Sequence, residues 1–284
     1  MKKYRERFNI KGIGIVTALF ISVGAFILIN YVIPDNLTEN QERPVDHENG
    51  SVEIPAIQLP KDSLNADMVG LFVYNGKIYT QTNTKINDTD AKALKDEKLG
   101  TTKGNIDEWS KQKDDDEELA STIGEMDVYS VKGYDKDFRL MVYQRQDGNH
   151  YAEFFENLNG LTISSGKDVF GKLNLVGNVT SAHWSAFSDW DNDIDNYKPI
   201  FDMDALNTFL IELNKTKPLP REQNSDPINS SRNNEEYREL ALKLNDGSTV
   251  NLTLLRDGYI YYGITDVYFE MNEGVFSMFW DQLK

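Results

Sequence analysis

The chain has no cysteine in 284 residues. That absence excludes thiol nucleophiles, cysteine-ligated zinc, iron–sulfur clusters and disulfide staples. Histidine is almost as scarce, with only His47, His150 and His183. A triad on His150 or His183 stays open, because triads assemble in space rather than in sequence. No G-x-S-x-G elbow and no His-Glu-x-x-His pair accompanies them. The nearest approach to a phosphate loop is "GLTISSGKD", Gly160 to Asp168. It has one residue too many between its glycines, and Asp168 stands where a Ser or Thr would hold magnesium.

Basic charge is the next shortage, with 30 Lys and Arg against 46 Asp and Glu. Five of those basic residues and only one acid, Glu6, lie in the first 33 positions, which leaves a net charge of about −20 for the rest. Such a surface repels phosphate backbones, and no basic aromatic stripe offsets it. Nucleic acid is excluded as an expected partner. Divalent cations, basic peptides and basic wall polymers stay open.

Charge of either sign is missing from "GIGIVTALFISVGAFILINYVI", Gly12 to Ile33. About 20 apolar residues at helical rise match a bilayer core of roughly 30 Å, and only a helix satisfies the backbone there. The preceding "MKKYRERFNIK", residues 1–11, carries Lys2, Lys3, Arg5, Arg7 and Lys11. That excess predicts a cytoplasmic basic tail, a transmembrane signal anchor over 12–33, and the rest of the chain outside. A cleaved signal peptide would have a shorter apolar core and a small-x-small cleavage site, and "LINYVIPDN" lacks that site. An exported chain without disulfides points to a bacterial cell envelope.

Pro34, Pro44, Pro55 and Pro60 break any helix over 34–66, so that stretch reads as a flexible stalk. Beyond it the fold class expected is α+β, with two tandem antiparallel-sheet-plus-helix units over 67–176 and 178–284. "VYSVKGYDKDFRLMVYQRQDGNHYAEFF" from Val128 and "LALKLNDGSTVNLTLLRDGYIYYGI" from Leu240 each show strand, turn, strand, an Asp-Gly turn and an aromatic strand. Both lead to a Val-Phe pair, in "DVFGKLNL" and "GVFSMFWDQL", which suggests duplication. Val250, Leu252 and Leu254 alternate as in a half-buried strand. Leu206, Phe209, Leu210 and Leu213 have helical spacing, as do Phe276, Phe279, Trp280 and Leu283. "KTKPLPREQNSDPINSSRNNEE", 215–236, reads as a flexible loop interrupting the second unit.

No catalytic or cofactor-binding residue stands out. "KDDDEEL", Lys113 to Leu119, suits a solvated helix start. Tyr259, Tyr261, Tyr262, Tyr268 and Phe269 suit cross-strand and core packing better than a sugar platform. "DWDNDIDNYKPIFD" offers an alternative metal site, a degenerate calcium loop with Asp191, Asp193, Asp195 and Asp202 at positions 1, 3, 5 and 12. Pro199 at position 9 and the short Asp202 at position 12 depart from that pattern. Asp202 or Asp204 as N-cap of the helix near Ala205 explains two acids without metal, so no cofactor is expected, with calcium as the alternative.

"LGTTKGNIDEW" (99–109) with "VYSVKGYDKDFRLMV" (128–142) resembles a pattern in uncharacterised membrane-anchored extracytoplasmic proteins of Bacillota. The resemblance covers mainly the first unit and implies localisation and source, with no catalytic residue to carry over. The function expected is binding or sensing at the cell envelope, without catalysis, with an envelope protein or wall polymer as partner. The alternatives are an anchored hydrolase of envelope polymers using carboxylates, or a calcium-binding surface module. Protease added to intact protoplasts should digest the head and leave a small membrane-bound N-terminal fragment. A head free in the medium would instead show that the apolar segment is cleaved.

Overall fold

The computed structural model describes residues 43–57, 69–106, 117–146, 149–221, 226–263 and 265–284. The basic tail, the anchor and the stalk residues 34–42 and 58–66 lie outside the described residues, as do residues 113–116 of the acidic run and the Asp147-Gly148 turn. Among the described residues no helix is long and apolar enough to cross a membrane. The fold mixes helices with antiparallel sheets, as the α+β expectation requires.

The first large sheet opens with β3 (Leu71–Tyr74) and β4 (Lys77–Gln81), joined by Asn75-Gly76. Both turn residues have positive φ, 52° and 67°, the geometry for which Asn-Gly is selected in two-residue hairpins. Helix α1 (Asp88–Leu94) follows, its start capped where Asn87 Oδ1 accepts from the Asp90 N–H at 3.0 Å. Strands β5 (Lys95–Thr101), β6 (Asp127–Val131), β7 (Arg139–Gln146) and β8 (Asn149–Glu156) then form a meander. Its last strand pairs with β4, which gives the order β3-β4-β8-β7-β6-β5.

The second large sheet contains β10 (Val179–Ala186), β11 (Lys198–Ile200), β12 (Lys217–Pro220), β13 (Tyr237–Leu244), β14 (Thr249–Leu255), β15 (Tyr259–Tyr261) and β16 (Val267–Glu270). Its order is β11-β10-β13-β14-β15-β16-β12. Short helix α2 (Phe187–Asp191) lies between β10 and β11. Helices α3 (Met203–Leu213) and α5 (Glu273–Trp280) cover one sheet face, and one-turn α4 (Pro227–Ser230) lies beyond β12. Leu206, Phe209, Leu210 and Leu213 are all buried there, against Val250, Leu252, Leu254, Phe276 and Phe279. Phe209 and Phe279 stack at 4.3 Å. The helical and alternating spacings therefore mark the faces that pack.

Four expectations are corrected. First, the two halves are not duplicates, because their strand orders differ. In the first sheet the opening hairpin joins the last strand of the meander, whereas in the second β10 joins its first strand, β13. The 3-10 turn Gly166–Asp168 ends on the first residue of "DVFGKLNL", whereas "GVFSMFW" lies within α5.

Second, the chain does not divide near residue 177. Leu158, Ile163, Val169, Phe170, Leu173 and Leu175 all enter the second sheet's core, and Phe170 meets Phe269 at 4.7 Å. Gly166 is the contact point: a Cβ there would fall 2.0 Å from the Leu213 carbonyl oxygen. The glycine that mimicked a phosphate loop is required by close packing against the end of α3.

Third, part of the expected stalk is folded. Strands β1 (Val45–Asp46), β2 (Val52–Ile54) and β9 (Leu161–Ile163) form a small sheet, and Val52 and Ile54 are buried in the main core.

Fourth, residues 217–220 of the expected loop form edge strand β12 against β16, and Ile228 is buried beyond it. Pro218 and Pro220 fit there because an edge strand needs donors on one side only. Residues 222–225 lie outside the described residues.

The two large sheets meet around a buried charge. Arg139 and Glu156 are both 0 % exposed; Arg139 Nε donates to Glu156 Oε1 at 2.8 Å, and a second nitrogen of the guanidinium makes a further bond to the same oxygen. Tyr262, from the second half, donates its hydroxyl to the Glu156 carboxylate (2.9 Å to Oε2). Thr84 accepts from Arg139 at 3.3 Å. The guanidinium lies over the rings of Tyr134 (4.5 Å) and Phe154 (4.9 Å), which suit a cation whose third nitrogen has no hydrogen bond. Burial works against the Arg139 charge, but Glu156 and the two tyrosines outweigh it and hold the guanidinium's pKa above its ordinary value.

Replacing one partner of a buried pair strands the other charge, at a cost of roughly 3–5 kcal/mol. Glu156→Gln should lower the urea midpoint accordingly, while the double variant R139M/E156L should recover most of the loss. Equal losses in the single and double variants would contradict this assignment.

Candidate functional site

A cavity of about 260 Å³ opens where the sheets join. Its floor comes from the second sheet: Ser185 near the end of β10 and Glu239 on β13, paired side by side. Alternation along β13 puts Leu240 and Leu242 into the core and leaves Glu239 on the opposite face. One wall is the excursion between β10 and β11, comprising α2 and the loop to Tyr197. The other wall carries Lys85, brought from the first sheet by a two-way backbone bridge with Thr249 (2.9 and 2.8 Å).

The excursion is held by short-range hydrogen bonds. The Ile194 N–H donates to the Asp189 carbonyl at 2.8 Å, and Asn196 Nδ2 donates to the Asp189 carboxylate at 3.0 Å. Asp193 takes φ 52°, a left-handed value that Asp tolerates better than most residues. Trp190 is fixed by ring contacts with Tyr237 at 5.3 Å and Phe187 at 5.8 Å, and one side of it faces the cavity.

Glu239 is only 4 % exposed. It accepts from the Tyr197 hydroxyl at 2.6 Å, from Asn251 Nδ2 at 2.9 Å and, more distantly, from Ser185 at 3.5 Å. Burial pushes its carboxyl pKa up, against the lowering pull of those donors and of Lys85. Burial and the Glu239 carboxylate in turn raise the Tyr197 hydroxyl above its usual value. Asn251, opposite Ala241 on β14 and on the same sheet face, has a buried Oδ1 with no hydrogen-bond partner.

The structure divides the acidic stretch that offered a calcium loop. Asp193 and Asp195 line the cavity with Asp189. Asp191 is exposed at the end of α2. Asp202 caps α3, accepting from the Ala205 N–H at 2.9 Å. Strand β11, paired to β10, carries Asp202 away from the others, so the four acids do not form the proposed loop. Among the described residues no three His, Asp or Glu converge as a metal-holding group. The capping reading holds for Asp202, but Asp193 and Asp195 have a setting that a helix lead-in does not describe.

The tyrosine cluster packs as expected from its strand positions. Tyr261 and Tyr268 meet at 5.6 Å across β15 and β16, while Tyr262 and Phe269 enter the main core. His47 sits 3.3 Å from Glu53, and His183 is half-buried on β10. The side chain of His150 lies outside the described residues. Of the residues that assemble the cavity, Lys85, Ser185 and Glu239 have no signal of their own, and Tyr197 stands out in the sequence only as position 7 of the calcium-loop alternative. Glu239 follows the same strand alternation as Lys243, and sequence does not distinguish a buried polar face from a solvated one.

A carboxyl whose pKa rises on folding favours the native state most when it is protonated. The stability that Glu239 contributes is therefore present below the ordinary glutamate pKa and is lost as pH rises through its raised folded value. Glu239→Gln removes that dependence. The melting-temperature difference, wild type minus variant, should fall between pH 4 and pH 7, and a difference that rises over that range would contradict the assignment. No family model, curated protein or solved structure matches this chain.

Proposed function

We propose that this chain is a membrane-anchored extracytoplasmic binding protein of a bacterial cell envelope, and that the Glu239 cavity is its ligand site. The location rests on the basic tail and the uncharged segment Gly12–Ile33, and on the resemblance in "LGTTKGNIDEW" and "VYSVKGYDKDFRLMV". The binding site rests on one observation above all: a buried carboxyl at the floor of a cavity walled by an aromatic ring. Concave sites with a few convergent polar groups and a perturbed carboxyl are the usual form of ligand pockets.

A second reading, hydrolysis of an envelope polymer, has a specific observation in its favour. Glu239 shares its cavity with Asp189, Asp193 and Asp195, and a carboxyl with a raised pKa beside other carboxylates is the raw material of acid–base hydrolysis. The two readings separate on incubation of the full-length protein with purified wall polymer. Binding predicts retention of the polymer with no soluble fragments released. Release of fragments that stops in Glu239→Gln would establish the hydrolase instead.

A further inference from the structure

The floor of the cavity is short of hydrogen-bond donors. Glu239 is buried, its three hydrogen-bonding neighbours are all neutral, and Lys85 acts on it without a hydrogen bond. Oε1 of Glu239 receives a single donor, from Asn251, although a carboxylate oxygen has two lone pairs. A buried carboxyl that lines the cavity and meets only neutral hydrogen-bond donors calls for a ligand that brings N–H groups.

The surroundings favour a positive one. Asp189, Asp193 and Asp195 stand on the cavity wall, opposed by Lys85 as its only cation among the described residues. The net charge of about −20 beyond residue 33 would steer a cation towards it. An inorganic divalent ion is a poor match, since among the described residues no three carboxylates converge on a point. A volume of about 260 Å³, well above the ~30 Å³ share of a water molecule, accommodates a chain of several heavy atoms. Trp190 and Ile194 supply apolar wall for the stem of such a chain.

We infer that the cavity receives a primary ammonium group on an aliphatic stem, as in a lysine side chain, with the ammonium bonded to Glu239 and the stem against Trp190. This deepens the binding reading and rests on it. The ammonium has three donors and no acceptor, the complement of that floor. A stem beside the indole leaves the charge free to reach the carboxylate.

The test uses full-length protein in nanodiscs, with binding read by heat and by tryptophan fluorescence. The probes are Nα-acetyl-lysine amide and the isosteric Nα-acetyl-norleucine amide, which keeps the stem and lacks the charge. Saturable binding of the lysine probe alone, weakened about tenfold or more in Glu239→Gln and reduced at high salt, is the expected result. The exposed pair D193N/D195N, remote from the core, should also weaken it several-fold and decides the matter if Glu239→Gln fails to fold. Equal binding of both probes, or variants that bind the lysine probe like wild type, would overturn the ammonium assignment. Capture of wall polymer but neither probe would overturn it too, with the binding reading intact. Failure to bind the probes and the polymer alike would overturn both.

Discussion

The Arg139–Glu156 pair with Tyr262 above it is the constraint on which the rest of the molecule depends. Arg139 and Glu156 belong to adjacent strands of the first sheet, and Tyr262 comes from the end of β15 in the second. An ion pair of this kind is no great source of stability, since desolvation of both ions consumes most of their attraction. What it does is fix geometry. Once the guanidinium is buried it needs this carboxylate, the carboxylate needs the tyrosine hydroxyl, and alternative dockings of the sheets leave a charge unpaired. Around it the seam is reinforced by the Lys85–Thr249 bridge and by the Tyr134 hydroxyl donating to Asp246 at 2.7 Å. Gly247, at φ +88°, admits α1 so closely that a Cβ would meet Asp90 at 2.2 Å.

The cavity is a consequence of that seam. Lys85 belongs to the connection leading from the first sheet to α1, and it reaches Glu239's surroundings only because the two sheets are locked at Thr249. The floor carries a carboxyl that burial disfavours as an ion, and the walls carry exposed aspartates on a short, internally hydrogen-bonded excursion. Burying the Glu239 carboxyl on this polar sheet face costs stability whenever it is ionised.

Much of the second sheet and its helices was legible in the sequence because amphipathic periodicity reports burial directly. Val250, Leu252 and Leu254 on the strand and Leu206, Phe209, Leu210 and Leu213 on the helix are all core. Asp202 as a cap was legible because side-chain capping is local. Strand order was not, since similar meanders accept a preceding strand at either edge and local pattern does not encode the choice. The three-residue strand at Val52–Ile54 is too short to show a period, and the prolines of β12 disguised an edge strand as a loop. No local pattern marks Arg139 or Glu156, and only long-range pairing reveals their burial. The candidate site fared worst. Asp193 and Asp195 stand out in the sequence as part of the acidic stretch, but Glu239 and Lys85 lie far from them in sequence and meet them through the seam.

If the buried network makes the two sheets one cooperative body, native-state hydrogen exchange is the most direct measurement. The amides of Leu140 in the first sheet and Leu252 in the second are both in strand cores. Their opening free energies should coincide at low denaturant and equal that of global unfolding. Exchange of Leu140 through a separate, lower-energy opening while Leu252 stays protected would contradict the seam as the organising constraint.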